Sequence, residues 1–328
     1  MAARVNRGWR AALIGTVGLL LGAGRPAVAQ RPSAVRVSTD NDAFLFWRPP
    51  WERTDHEYTG GARGTLTWTG AARLLPLGAL RPACATTGGD GCASHSYALG
   101  QELYTGEPPP TPGVAPDPHP SHRTNAAWLY VEAAERDSAG ADVTAFAIRV
   151  GVVGPPALGE PMQQFFHVIG PRYPLPVDWR KQLPFEPGFI VTAARTHVLA
   201  TLGDLARSGA ALSARGSASL GTILMGAEAG VTALAATRLG ERDGAWPRVI
   251  VRGDAALHGV ARDEFLDGTL FRPSPRLAKN PAYAEFGGAL ELRWSRLGVS
   301  YRVTRTGERY RLQDAPTLWG TLAAEWRP

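Results

Sequence analysis

Three polar clusters carry the residue types that ester or metal chemistry requires. Asp40-Asn41-Asp42 sets two carboxylates around an amide oxygen, and these are hard donors of the kind calcium takes. The same triplet also suits a turn in which an Asx side chain caps the backbone. Asp55-His56-Glu57-Tyr58-Thr59-Gly60-Gly61 opens the next segment. There Thr59 shares a two-residue period with Arg63, Thr65 and Thr67, opposite Leu66 and Trp68, so an extended chain turns it toward a polar interior. His167 follows Gln163 by one helical turn in a stretch, Gly159 to Ile169, that lacks strand alternation and reads as a short helix. Brought together, a carboxylate-held cation, a hydroxyl and an imidazole could polarise an ester carbonyl while His takes a proton from water. Taken singly, each cluster has an ordinary structural explanation.

The elements that must position these clusters are strands. Phe286, Leu290, Leu292 and Trp294 alternate with Glu285, Gly287, Ala289, Glu291 and Arg293. Leu297, Val299, Tyr301 and Val303 then alternate with Arg296, Gly298, Ser300, Arg302 and Thr304, which reads as a hairpin turning near Ser295. The pattern recurs at Phe146–Val152, Val249–Leu257 and Leu318–Trp326. It predicts strands near 34–44, 58–69, 94–104, 125–136, 142–153, 188–200, 210–220, 223–235, 248–260, 283–294, 296–305 and 316–326. That is about twelve, an even number, as a closed bacterial barrel has. Alternation alone suits a soluble sandwich equally. Segment length, alternating short and long connections, and Tyr58, Trp68, Tyr104, Trp128, Trp294 and Trp326 at segment ends as interfacial girdles favour a transmembrane antiparallel β-barrel. No apolar stretch after residue 30 reaches the roughly 20 residues of a membrane helix. The longest predicted outer loop, 154–187, holds the short helix.

Composition narrows the function. The chain has 328 residues, 44% of them hydrophobic and 20% charged, which excludes a disordered chain. P-loop, G-x-G-x-x-G and G-x-S-x-G motifs are missing. Residues 1–29 read as a signal peptide: Arg4, Arg7 and Arg10, then an apolar run, then Ala27-Val28-Ala29 as a cleavage site. The formal charge of +6 falls to +2 without the four arginines Arg4, Arg7, Arg10 and Arg25, so nucleic acid is not expected as a partner. Residues 30–328 form one domain. Cys84 and Cys92 sit in one glycine-rich stretch of an exported chain and suit a local disulfide.

In Asp40-Asn41-Asp42-Ala43-Phe44, Tyr58-Thr59-Gly60-Gly61, Gly100-Gln101-Glu102-Leu103-Tyr104-Thr105, Gly151-Val152-Val153-Gly154-Pro155, Gln163-Gln164-Phe165-Phe166-His167 and Trp179-Arg180-Lys181-Gln182-Leu183 the sequence resembles the outer-membrane lipid A 3′-O-deacylases. These are calcium-dependent twelve-stranded barrels, and the motifs occur in order along the mature chain. The resemblance implies an active site between the barrel wall and a loop helix. It implies His167 as general base on water, Asp42 and Asn41 on Ca2+, and Asn41 and Thr59 positioning the metal, water or ester. It implies lipid A, within lipopolysaccharide, as substrate, reached laterally from the outer leaflet, and requires no protein partner. Gln163, Arg123 and Lys181 are candidate substrate contacts, and Arg172, Arg180, Arg276, Lys279 and Arg309 are further candidates for phosphates. The sequence departs from the family at His122-Arg123-Thr124-Asn125-Ala126-Ala127 and in the proline-rich loop before it. A non-catalytic barrel, porin-like or structural, is the alternative. A serine phospholipase barrel would need a Ser-His pair that no spacing suggests.

Overall fold

Strand formation follows from the period-two pattern, and in the structure the apolar period is the outside of a closed sheet. The computed structural model describes residues 31–48, 57–70, 93–106, 121–169, 177–240 and 247–328, with side chains in the helix described up to Phe166. The signal-peptide segment 1–29, Asp55, His56, Arg172 and the Cys84–Cys92 stretch lie outside the described residues. The strands are β1 (Ala34–Asn41), β2 (Glu57–Thr69), β3 (Ala93–Thr105), β4 (Ala126–Ala139), β5 (Asp142–Val153) and β6 (Glu186–Asp204). They continue as β7 (Ser208–Gly221), β8 (Leu224–Arg238), β9 (Arg248–Asp263), β10 (Ala282–Arg293), β11 (Leu297–Thr306) and β12 (Thr317–Trp326). Each pairs antiparallel with its neighbours, and β1 pairs with β12 from Val35↔Trp326 to Asn41↔Gly320, closing the barrel. Among the described residues two α-helices lie in the connections: α1 (Gly159–Ile169) and α2 (Glu264–Asp267). Among the described residues no helix is long and apolar enough to cross a membrane.

The two faces divide as alternation requires. Val37, Leu66, Leu99, Val131, Val150, Val251, Phe286 and Val299 are exposed on the outer face. The inner face carries paired charge. Glu132 takes both Arg63 and Arg149, the latter at 2.6 Å. Asp254 takes Arg302 at 2.6 and 2.7 Å, and Arg215 meets Glu228 at 2.6 Å. Glu132 and Asp254 are almost fully buried; removing Arg302 would leave the Asp254 carboxylate without its guanidinium, a loss on the order of 3–5 kcal/mol, whereas Glu132 keeps one arginine when the other is removed.

At the end with the long loops the lumen holds an apolar plug. Tyr104 on β3 stacks on Phe265 of α2 with centroids 4.3 Å apart. Trp128, Tyr130, Val153, Leu183, Ile190 and Ile223 join the same cluster, with Tyr58 packed against it. Tyr58 also meets Trp319 of β12 at 4.9 Å. This corrects the expectation for three of the aromatic residues: Tyr58, Tyr104 and Trp128 are not in a girdle. Each stands at a strand end, but strand parity turns it inward. Trp68 and Trp326 keep the outer face, beside Leu66 and Val35 in register. Phe46, Trp47, Phe165, Phe189 and Phe271 are exposed aromatic residues at the long-loop end.

Next to the plug, Glu264 is fully buried, and burial, then the neighbouring Glu186, pushes its carboxyl up to about 8. Glu186 meanwhile accepts from the Leu270 and Phe271 amides at 2.9 and 3.2 Å, tying the loop after α2 to the start of β6.

A plugged lumen should not conduct. The purified protein in planar bilayers is expected to show no porin-sized steps, and Phe265→Ala is expected to introduce them; steady steps from the unaltered protein would return the porin reading.

Candidate functional site on the outer wall

The site starts where β1 ends. Asp40 does not join Asn41 and Asp42 in one ligand cluster, because the pleat of β1 turns it to the opposite face from Asn41. Asp40 faces the lumen and accepts the Tyr58 hydroxyl at 2.7 Å. Asn41 has the parity of Val37, the outer face. Its Oδ1 accepts from the Ala43 amide at 2.7 Å, capping a 3-10 turn over Asp42–Phe44, and its Nδ2 donates to the Thr59 carbonyl at 3.2 Å. Asp42 is buried in that turn, 6% exposed.

Thr59 is the second piece, and here the structure corrects the sequence reading. Tyr58 pairs with Tyr104 but Gly60 pairs with Leu103, so Thr59 is the extra residue of a β-bulge. The bulge shifts its parity. Thr59 is buried and its hydroxyl meets that of Thr105, which shares the outer face of β3 with Leu103 and Leu99. Thr59 therefore points away from Arg63, onto the same outer surface as Asn41. Gly60 is needed beside it: a Cβ there would stand 2.9 Å from the Asp40 carbonyl and 3.3 Å from Asn41 Nδ2.

Helix α1 covers this surface. Its fold is local: Glu160 in the first turn complements the helix dipole, and Pro161 falls where no amide bond is lost. Met162 packs against a buried cluster of Leu103, Ala127, Ala157, Val177 and Trp179. Gln163, 2% exposed, accepts the Trp179 indole N–H at 2.7 Å. Gly159 admits Trp179: a Cβ there would be 2.3 Å from the ring. Asn125 fixes the loop beneath, accepting from Gly106 at 2.8 Å, donating to the Asp178 carbonyl at 3.0 Å, and taking the Leu183 amide on its own carbonyl at 2.8 Å. His167 lies in the last turn of α1; its side chain lies outside the described part.

A groove of about 570 Å³ runs between α1 and the wall. Val37, Leu99, Leu129, Leu158, Met162 and Phe165 line it, with Gln101. Val37 and Ala62 carry this lining along β1 and β2 on the face that holds Asn41 and Gly60.

The remaining candidate residues separate. Lys181 is exposed beside Trp179, Arg180 is exposed and paired with Asp178 at 2.9 Å, and Arg276 is exposed. Arg123 is buried in a network at the rim: its Nε donates to Glu57 at 3.2 Å and it lies 4.8 Å over the Tyr104 ring. Ser121 donates to the same Glu57 at 2.7 Å. Tyr310 does so too, and burial, then Glu57, pushes its hydroxyl up to about 12, so it stays a donor. Lys279 pairs with Asp267 at 2.8 Å and Arg309 with Asp263 at 2.6 Å. Sequence reasoning did not single out Asn125, Gln101 or Trp179. All three sit in quoted motifs, but nothing in those motifs signals their burial.

The oxygens around Asn41 suit calcium in type: an amide, a carboxylate, a carbonyl and hydroxyls. Among the described residues no three His, Cys, Asp or Glu gather as metal ligands, so a cation here would rest on Asp42, neutral oxygens and water.

Fold and site together define a membrane β-barrel whose candidate site lies outside the wall, under a loop helix, rather than in a channel. The chain belongs to the LpxR family, the lipid A 3′-O-deacylase family that its motifs resemble: the profile described as "Outer membrane protein LpxR" matches residues 13–328. LpxR from Salmonella typhimurium is 15% identical, with 90% of this chain and 99% of that one aligned at a TM-score of 0.67, a likeness of fold. The NanC porin (4% identity, TM-score 0.36, 90% and 99% of the two chains) and the translocator domain of autotransporter NalP from Neisseria meningitidis (9%, 0.37, 97% and 96%) align only loosely. No curated protein sequence matches.

Trp179→Phe should free α1 from the wall. The barrel is expected to stay heat-modifiable while the 154–187 loop becomes cleavable by protease several-fold faster; unchanged cleavage would show that the Gln163–Trp179 bond does not hold the helix.

Proposed function

We propose that the protein is a hydrolase that removes the ester-linked 3′ acyl (acyloxyacyl) chain of lipid A, with the long-loop end facing the outer leaflet and export through a cleaved signal at 1–29. The observation that carries this reading is the apolar groove on the outer wall. A lumen site would serve a soluble ligand, whereas a groove open to lipid and lined by Leu99, Leu129 and Met162 suits an acyl chain arriving sideways.

In this reading His167 takes a proton from water, which attacks the ester carbonyl, and returns the proton to the leaving sugar oxygen. Asn41 and Thr59, joined through the Thr59 carbonyl, fix the end of β1 against the bulge and set the ester beside the helix. Asp42 and Asn41 would hold Ca2+, which when bound supplies positive charge for the developing oxyanion. Lys181, which is exposed, would meet a lipid A phosphate. Gln163 acts through Trp179, and Arg123 through Glu57, as positioning residues.

Expressed in an outer membrane whose lipid A is fully acylated, the protein is expected to release the 3′ chain, read by mass spectrometry of lipid A, and to stop on calcium chelation. Loss of a general base costs roughly 10²–10⁴-fold, so His167→Ala should reduce release by that order and leave a heat-modifiable barrel. Full release by His167→Ala would remove it from the mechanism, and release that survives chelation would remove the cation.

A further inference from the structure

Gln101 is a polar side chain set among the apolar residues of the outer-wall groove. It is 4% exposed and lines the groove beside Leu99, Leu129 and Met162. Its Nε2 donates to the Ala157 carbonyl at 2.5 Å. A carbonyl can only accept, so this bond settles which end of the amide is nitrogen. The other end, Oε1, is buried and has no hydrogen-bond partner among the described residues. An acceptor without a donor is costly when buried, and the surrounding Leu99, Leu129 and Met162 offer none.

We propose that Gln101 Oε1 is a specificity determinant that accepts a hydrogen bond from the acyl ligand in the groove. This rests on the reading of the groove as an acyl site. A plain fatty acyl chain has no donor and would seal the oxygen unpaired. A chain with a donor close to its carbonyl end would satisfy it. The ester-linked acyloxyacyl chain itself carries no such donor, so it would come from beside that chain on the same ligand: the N–H of an amide-linked chain on the adjacent sugar carbon, or the free hydroxyl of a 3-hydroxyacyl chain. A site built to bond a donor rejects the analogue lacking it more strongly than an apolar pocket rejects a change of shape. Gln101 therefore selects acylated sugars by a donor held beside the reacting ester, while the apolar lining selects only for a chain.

The test uses the full barrel in detergent and three probes without the scissile ester, titrated by tryptophan fluorescence. They are an N-acylglucosamine, an N-methyl-N-(3-hydroxyacyl)glucosamine, and an N-methyl-N-acylglucosamine that carries neither donor. The unaltered protein is expected to bind the amide probe or the hydroxyl probe about tenfold more tightly than the third, and which of the two is preferred identifies the donor. Gln101→Met keeps the volume and removes the acceptor; it is expected to bind all three alike. Loss of the Ala157 bond alone would weaken every probe equally, so the ratio separates specificity from packing. Equal binding of all three by the unaltered protein, which needs no variant, would overturn the proposal, as would a preference that persists in Gln101→Met. If the preference holds but lipid A stays intact in the membrane assay, the donor subsite stands and the proposed reaction falls. If lipid A is deacylated and no preference exists, the reaction stands and the role of Gln101 falls.

Discussion

Inside a bilayer no water is available to satisfy a backbone amide, so every N–H and C=O must find a partner within the protein. The pairing of β1 with β12 meets that demand for the strand that would otherwise be an open edge. Once the sheet is closed, each side chain has two choices, lumen or lipid, and the choice alternates along the chain. That parity separates Asp40 from Asn41, sends Glu132 and Asp254 to arginine partners inside, and leaves Val37 and Leu99 against lipid.

The candidate site depends on a deliberate break in that parity. The bulge at Thr59 moves one hydroxyl from the inner to the outer face, where Asn41 already stands. The helix that completes the site is held by side chains and not by sheet pairing: Gln163 on Trp179, and Asn125 on Gly106 and Asp178. The lumen behind is filled by Tyr104, Trp128 and Phe265. In the proposed reading the barrel serves as a rigid wall, with the chemistry on its outside beside the apolar groove under α1.

Much of this was legible in the residues. The twelve strands and the helix at Gly159–Ile169 follow from period alone, and even the alanine- and glycine-rich stretch divides at a tight turn between Gly221 and Leu224, as expected. The direction of Thr59 was not legible, since an inserted residue leaves no mark on a pattern read outward from Arg63. Nor were the roles of Tyr58, Tyr104 and Trp128, because an aromatic residue at a strand end looks alike whether it meets headgroups or a plug. Arg123 read as a candidate substrate contact because its partner, Glu57, lies far away in sequence and joins it only across the closed rim. Gln101 was visible as a letter in a motif, but the burial of its oxygen is a tertiary fact.

If the reacting chain lies in the outer-wall groove, filling that groove should stop its release. Leu99 points outward from β3 with more than half its surface exposed, so a tryptophan there faces lipid and leaves strand pairing intact. Mass spectrometry of lipid A from membranes carrying Leu99→Trp should show the 3′ chain retained, although the barrel folds. Release at the rate of the unaltered protein would place the acyl chain elsewhere and contradict the account.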